Sequence, residues 1–212
     1  RRETHRAVGL EIERRAGDSA PENAALLSLH FSHGRDHHRA WTYACIAAHA
    51  ARAKFAPLEA GDLYQRALGT SRGAGIGSGE LVRVQEALGD VREVSARYSE
   101  ASDAYGAARS LADDVGTKAR LLRKEGELRE HAGRYTEALR WYGRALGTLS
   151  ELDPDAPAAA SIVGLWLAYA GVRFRQGRYA ECIRWASEAA TEAERRDSRS
   201  ELAHAFYLLD LG

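Results

Sequence analysis

The amino-acid pattern predicts an all-α protein of antiparallel helical hairpins stacked side by side, and two observations carry the prediction. In the stretch from Gly126 to Ala145, small residues fall at Gly126, Gly133, Ala138 and Ala145, with Tyr135 and Tyr142 among them and polar residues in most other places. A helix ending at Gly133 leaves its last carbonyls to a residue that tolerates positive φ, and a second helix begins at once. Gly126 and Ala138 let the two backbones approach, and Tyr142 fills the space beyond. The second observation is recurrence. The spacing of Gly126, Ala138, Tyr142 and Ala145 returns as Ala48, Ala60, Tyr64, Ala67, as Gly89, Ala101, Tyr105, Ala108 and as Ala170, Cys182, Ala186, Ala189.

This frame resembles the tetratricopeptide repeat (TPR), a helix-turn-helix unit of about 34 residues. In that family repeat positions 8, 20 and 27 are small and position 24 is aromatic. The resemblance implies a TPR-like superhelix of stacked antiparallel hairpins. Ala60, Ala101, Ala138 and Cys182 are 41, 37 and 44 residues apart, so the residues beyond the simple repeat are expected in loops.

Taken in order, residues 3–16 place Val8 and Ile12 on one side of a short amphipathic helix, which Gly17 to Pro21 ends. Residues 22–33 form the next helix, with Leu26, Leu27, Leu29 and Phe31, after a first-turn Pro21. Gly34-Arg35-Asp36 is a turn, and Asp36 is the N-cap of an alanine-rich helix over 37–54. Pro57 opens its partner, which is expected to stop at Leu68 because Gly69 to Gly79 carries five glycines and reads as the longest flexible loop. Helices resume over 80–96, 98–112, 117–132 and 135–149. Glu151 to Pro157, with Pro154 and Pro157, is a second break, followed by helices over 158–176, 179–196 and 200–209. Residues 1–79 thus hold N-terminal helices and the first degenerate repeats, and 80–212 continue the same array. The last helix lacks a partner, so its apolar face of Leu202, Phe206 and Leu209 is expected to meet a continuation or another molecule.

Composition narrows the function. Thirty basic residues balance thirty acidic ones, so no global field draws the chain to nucleic acid or an anionic membrane. No apolar run approaches the roughly 20 residues that span a bilayer, and a cytoplasmic location is expected. Cys45 and Cys182 form no metal-ligand or CxxC spacing. The chain begins at Arg1, holds no methionine and stops inside a helical pattern, and so reads as a piece of a longer protein.

His30, His33, His37 and His38 with Asp36 are the densest group of metal-capable side chains, but helix packing and an exposed helix start explain them better than zinc. GAGIGSG matches neither GxGxxG nor GxxxxGK[ST], and Gly116-Thr117-Lys118 lacks the upstream glycine of a P-loop. With no serine elbow, HExxH pair or oriented Cys/His arrangement, neither a cofactor nor an enzyme activity is expected. The TPR resemblance implies instead a partner groove lined by positions 2, 5, 9, 12 and 13 of each first helix. Here these include Arg83, Glu86 and Asp90, then Arg120, Arg123 and Glu127, then Leu167, Phe174 and Arg175. Such a face suits a protein or peptide segment held by charge pairing at Arg120 and Arg123, with an apolar anchor at Leu167 and Phe174.

Residues 1–68 add a narrower resemblance. The run LLSLHFSHGRDHHRAWTYACIAAHAARAKFAPLEAGDLYQRAL after an RRETHRAVGLEIERRAG helix is similar to the junction in large bacterial STAND-class ATPases. These include ATPase-linked class III adenylate/guanylate cyclases and LuxR-type regulators, in which an AAA-like module leads into a C-terminal TPR array. The resemblance implies a regulatory TPR domain of a signalling protein, with the upstream ATPase domain as a further partner. A constitutive scaffold that self-associates through its last helix, and a small-molecule sensor, are the alternatives.

Overall fold

The computed structural model describes residues 1–150, 152–153 and 156–211, and its regular structure there is helical throughout. Eleven α-helices follow one another: α1 (Arg2–Ala16), α2 (Ala24–Gly34), α3 (His37–Ala53), α4 (Pro57–Ala74), α5 (Ser78–Val94), α6 (Tyr98–Leu111), α7 (Val115–His131), α8 (Tyr135–Leu149), α9 (Ser161–Arg175), α10 (Tyr179–Arg195) and α11 (Arg199–Leu211). Short 3-10 turns at Gly17–Asn23 and Pro157–Ala160 precede α2 and α9. The chain divides into two compact units, Arg1–Leu111 and Ala112–Gly212.

In the first unit α1 packs on α2, α2 on α3, and the hairpins α3/α4 and α5/α6 meet through α4 and α5. Tyr43 of α3 ties α1 down: its hydroxyl donates to Glu13 at 2.6 Å, and burial together with that bond pushes the phenol up to about 12. In the second unit the hairpins are α7/α8 and α9/α10, with α11 closing on α9 and α10.

The repeat frame explains why each hairpin closes. Position 8 lies under the ring at position 24, so Gly89 faces Tyr105 and Gly126 faces Tyr142, both rings being fully buried. Each buried ring withdraws about 150–250 Å² from water, the largest single apolar contribution to its hairpin. In the last hairpin Ala170 and Ala186 replace the pair, and the smaller residues lie with Val163, Cys182, Ala189, Ala205 and Leu208 in one buried cluster.

The turns are equally regular. All four hairpins reverse through one left-handed residue, at Phe55, Ala96, Gly133 and Gly177. In each, two backbone N–H groups return to the orphan carbonyls of the first helix, as Gly133 N to Glu130 O and Arg134 N to Arg129 O do. Asp36 caps α3 as its sequence position predicts, accepting from Arg39 N at 3.3 Å.

Four expectations change. The glycine loop is short: α4 continues to Ala74 and only Gly75–Gly77 separate it from α5. Packing overrides the glycine penalty of about 1 kcal/mol per residue, because Thr70 is buried and a β-carbon on Gly73 would lie 2.5 Å from the His37 ring. The predicted start of a helix at 158 falls in the 3-10 turn, while Glu151, Pro154 and Asp155 of the predicted break lie outside the described residues. One stretch, Pro157–Arg175, is long and apolar enough to cross a membrane by length and composition. Its Val163, Leu165 and Val172 are instead fully enclosed by neighbouring helices. Finally, Leu202 and Leu209 of α11 pack on the α9/α10 hairpin, and the outward apolar side chains are Phe206, Tyr207 and Leu211.

Candidate functional site

In the first unit, extending the groove positions back to the hairpin of Ala48 gives Thr42, Cys45, His49, Arg52 and Ala53 on α3. Cys45 and His49 then line a cavity of about 190 Å³ with Trp41, Tyr64, Glu80 and Arg83. The walls are apolar with a charged rim, where Arg83 and Glu80 stand 3.8 Å apart. The Tyr64 hydroxyl is 3.4 Å from His49 Nδ1. Burial pushes the Cys45 thiol up to about 12, so it lines the wall as a small apolar group rather than a nucleophile.

Of the groove residues expected on α5, Arg83 reaches this cavity and Glu86 is half-buried. Asp90 is engaged by the fold: its Oδ1 accepts from the Tyr105 hydroxyl at 2.9 Å and its Oδ2 is 3.4 Å from Arg52 Nη2. Trp41, Cys45, His49, Tyr64 and Glu80 were missed because the groove positions were read only from the second hairpin onward. The frame anchored at Ala48 already contained Cys45 and His49.

In the second unit, Arg120 is exposed on α7, and Arg123 pairs with Glu127 at 3.4 Å. Glu130, one turn further on, accepts from the Tyr142 hydroxyl and from Arg175 of α9, each at 2.5 Å. Two glycines bare the matching face of α9. A β-carbon at Gly164 would be 3.6 Å from Arg123 Nη1 and 3.9 Å from Glu201 Oε1, and one at Gly171 would be 3.5 Å from Arg175 Nη1. Arg123 and Arg175 therefore lie over half-buried glycine backbone and carry both charge and planar donor groups. Leu167, expected as an anchor, is 4 % exposed and closed into the core beside Val163 and Ala205. Phe174 is half-buried against Tyr179, with ring centroids 5.7 Å apart.

The histidines separate by role. His30 meets His5 of α1, Nδ1 to Nδ1 at 3.3 Å, and His33 lies against His5 with centroids 4.9 Å apart. Desolvation and these two neighbours lower the His5 pKa. His37 sits under Gly73 of α4, and Asp36 is committed to its cap and to Arg39. Among the described residues no group of three or more His, Cys, Asp or Glu side chains is arranged to hold a metal ion.

No protein-family description and no curated protein matches the chain. Solved structures do. Aspartyl phosphate phosphatase F from Bacillus subtilis superposes with a TM-score of 0.71 at 13 % identity, over 94 % of this chain and 52 % of that one. BtubC (BKLC) from P. vanneervenii gives 0.63 at 14 %, over 98 % and 80 %, and PilF of Pseudomonas aeruginosa 0.52 at 14 %, over 96 % and 88 %. This chain thus spans about half the length of the Bacillus protein. The likeness is one of fold. The chain has the all-α, TPR-like helical repeat fold.

Proposed function

We propose that this chain is a protein-interaction and regulatory module that binds a protein or peptide segment along the first helices of its hairpins. The observation that carries the reading is the cavity between α3 and α5, where groove positions of two successive hairpins meet over Trp41 and Tyr64. Its volume suits one large apolar side chain, and the rim charges of Glu80 and Arg83 suit the polar backbone beside it. In the second unit Arg120, Arg123, Glu127, Phe174 and Arg175 form a candidate surface of their own.

The similarity of residues 1–68 to the ATPase–TPR junction supports a cytoplasmic bacterial signalling protein, a cyclase or LuxR-type regulator, as the parent. In that setting the upstream ATPase domain is an intramolecular partner. Binding regulates it to the extent that the ligand's affinity differs between two arrangements of the parent.

The test is a pull-down from a bacterial lysate with the wild-type chain beside Arg83→Glu and Arg120→Glu/Arg123→Glu. Specific proteins captured by the wild type and lost in the variants support groove recognition; identical capture by all three overturns it. A second reading, self-association, draws on Phe206 and Tyr207 of α11, which are 54 % and 61 % exposed. Sedimentation that shows a concentration-dependent dimer, lost in Phe206→Glu, would favour it.

A further inference from the structure

A second cavity lies in the Ala112–Gly212 unit, away from the groove positions. It measures about 530 Å³ and opens between α8 and α9, lined by Thr136, Arg140, Tyr169, Arg173, Gln176 and Arg178 among others. Thr136, Arg140 and Gly143 recur at helical spacing along one face of α8, and Tyr169 and Arg173 do the same along α9, with Gln176 at its C-cap. Arg178 stands at the N-cap of α10. Tyr169 fixes the walls: its hydroxyl donates to the Leu139 carbonyl at 2.8 Å. Gly143 leaves the space above that hydroxyl open, since a β-carbon there would come within 3.1 Å of it.

Donors dominate this cavity. Among the described residues no carboxylate lines it, and three guanidinium groups do. Arg173 Nε is 3.0 Å from Glu181 Oε2, and Arg178 pairs with the other Glu181 oxygen. Arg173 Nη1 donates to Gln176 Oε1 at 2.9 Å, which occupies the amide oxygen and leaves the Gln176 NH2 group to donate. Among the described residues Arg140 makes no ion pair. Among the described residues Glu181 is therefore the one carboxylate paired with any of the three arginines, which leaves two positive charges there without a carboxylate.

We infer that this cavity binds a phosphate-type dianion. Two net charges match a dianionic oxyanion, and planar guanidinium groups present paired N–H donors to its oxygens. Thr136 adds a hydroxyl, and Glu181 holds Arg173 and Arg178 in place before the ligand arrives. The source of the dianion is either a phosphate monoester or free inorganic phosphate. Because Arg140 and Arg178 are exposed, binding is salt-dependent.

The experiment follows arginine side-chain N–H signals by NMR in the ¹⁵N-labelled chain, titrated with inorganic phosphate and with O-phosphoserine, beside sodium chloride at equal ionic strength. Saturable shifts at Arg140, Arg173 and Arg178, absent with chloride, are expected. Arg140→Gln breaks no ion pair among the described residues and should weaken binding about tenfold, while Arg72→Gln on α4 of the other unit, which is exposed, should change nothing. Tighter binding of O-phosphoserine assigns an ester and tighter binding of inorganic phosphate assigns the free ion, and both support the site. Shifts that do not saturate, that chloride reproduces, or that Arg140→Gln leaves unchanged overturn it.

Discussion

The Tyr105 ring occupies the place a side chain on Gly89 would need: a β-carbon there would lie 2.3 Å from Cε1. Gly126 stands in the same relation to Tyr142, also at 2.3 Å. Both rings are fully buried and held at the hydroxyl end, so they cannot retreat as a surface side chain would. Gly89→Ala and Gly126→Ala are each expected to cost about 1–3 kcal/mol through overpacking, despite alanine's better helix propensity. Gly69, also inside a helix, has nothing within 4 Å of its would-be β-carbon, and Gly69→Ala should gain about 0.5–1 kcal/mol. Urea melts of the three variants check both signs.

The same tyrosines set an alkaline limit. The Tyr105 hydroxyl lies 2.9 Å from both Asp90 Oδ1 and Glu93 Oε2, and that of Tyr142 lies 2.5 Å from Glu130 Oε2. Desolvation first, and then the adjacent carboxylates, raise both phenols far above their ordinary value of 10.0. A raised folded pKa means that the native state keeps a proton which the unfolded chain releases. This contribution is full below about pH 10 and is lost as pH rises beyond it. Thermal melts should therefore fall steeply above pH 10, and the fall should be shallower in Tyr105→Phe/Tyr142→Phe, which will start from a lower melting temperature at pH 7.

Turn chemistry gives a third prediction. Ala96 adopts φ 57° in the α5/α6 turn, where Gly133 and Gly177 serve the other unit at 72° and 69°. An L-residue in this conformation costs about 1–2 kcal/mol relative to glycine, and Ala96 is exposed, so nothing is lost by removing its methyl group. Ala96→Gly is expected to stabilise the chain by about 1 kcal/mol, measured as a higher urea midpoint at unchanged slope.

These turns also show what the sequence could disclose. At Gly133 the turn and the second helix, Tyr135–Leu149, were legible to the residue, because glycine marks a left-handed position, while the first helix runs over Val115–His131 rather than 117–132. The identical reversal at Phe55 carries no such mark, since Phe55 is held at φ 56° by its two neighbouring helices. The Gly69–Gly79 stretch misled for the converse reason. Its Gly73 answers a close approach to His37 rather than a need for flexibility, and a contact between residues 36 positions apart leaves no local trace. At the candidate site, Arg83 followed from the repeat frame. The roles of Asp90 and Leu167 did not, because one is bound by Tyr105 and the other is covered by α11, and both partners are set by packing.

Cys45 offers a direct reading of whether the wall of the α3/α5 cavity is packed as its geometry requires. The thiol lines the cavity together with Trp41 and Tyr64, and burial holds it well above its ordinary value, at about 12. At pH 8 an ordinary thiol near 8.5 is partly thiolate, whereas Cys45 has about one part in 10⁴ in that form, by the difference between pH and pKa. Cys182 is fully buried and its pKa is raised as well. Neither thiol should react with a disulfide reagent such as DTNB within the time that free cysteine is consumed, and two should react promptly in 8 M urea. Substituting Cys182→Ala isolates Cys45. Rapid labelling of that variant under native conditions would mean that the cavity wall opens to solvent, and the pocket between the two hairpins could then not pre-form a seat for a partner's side chain.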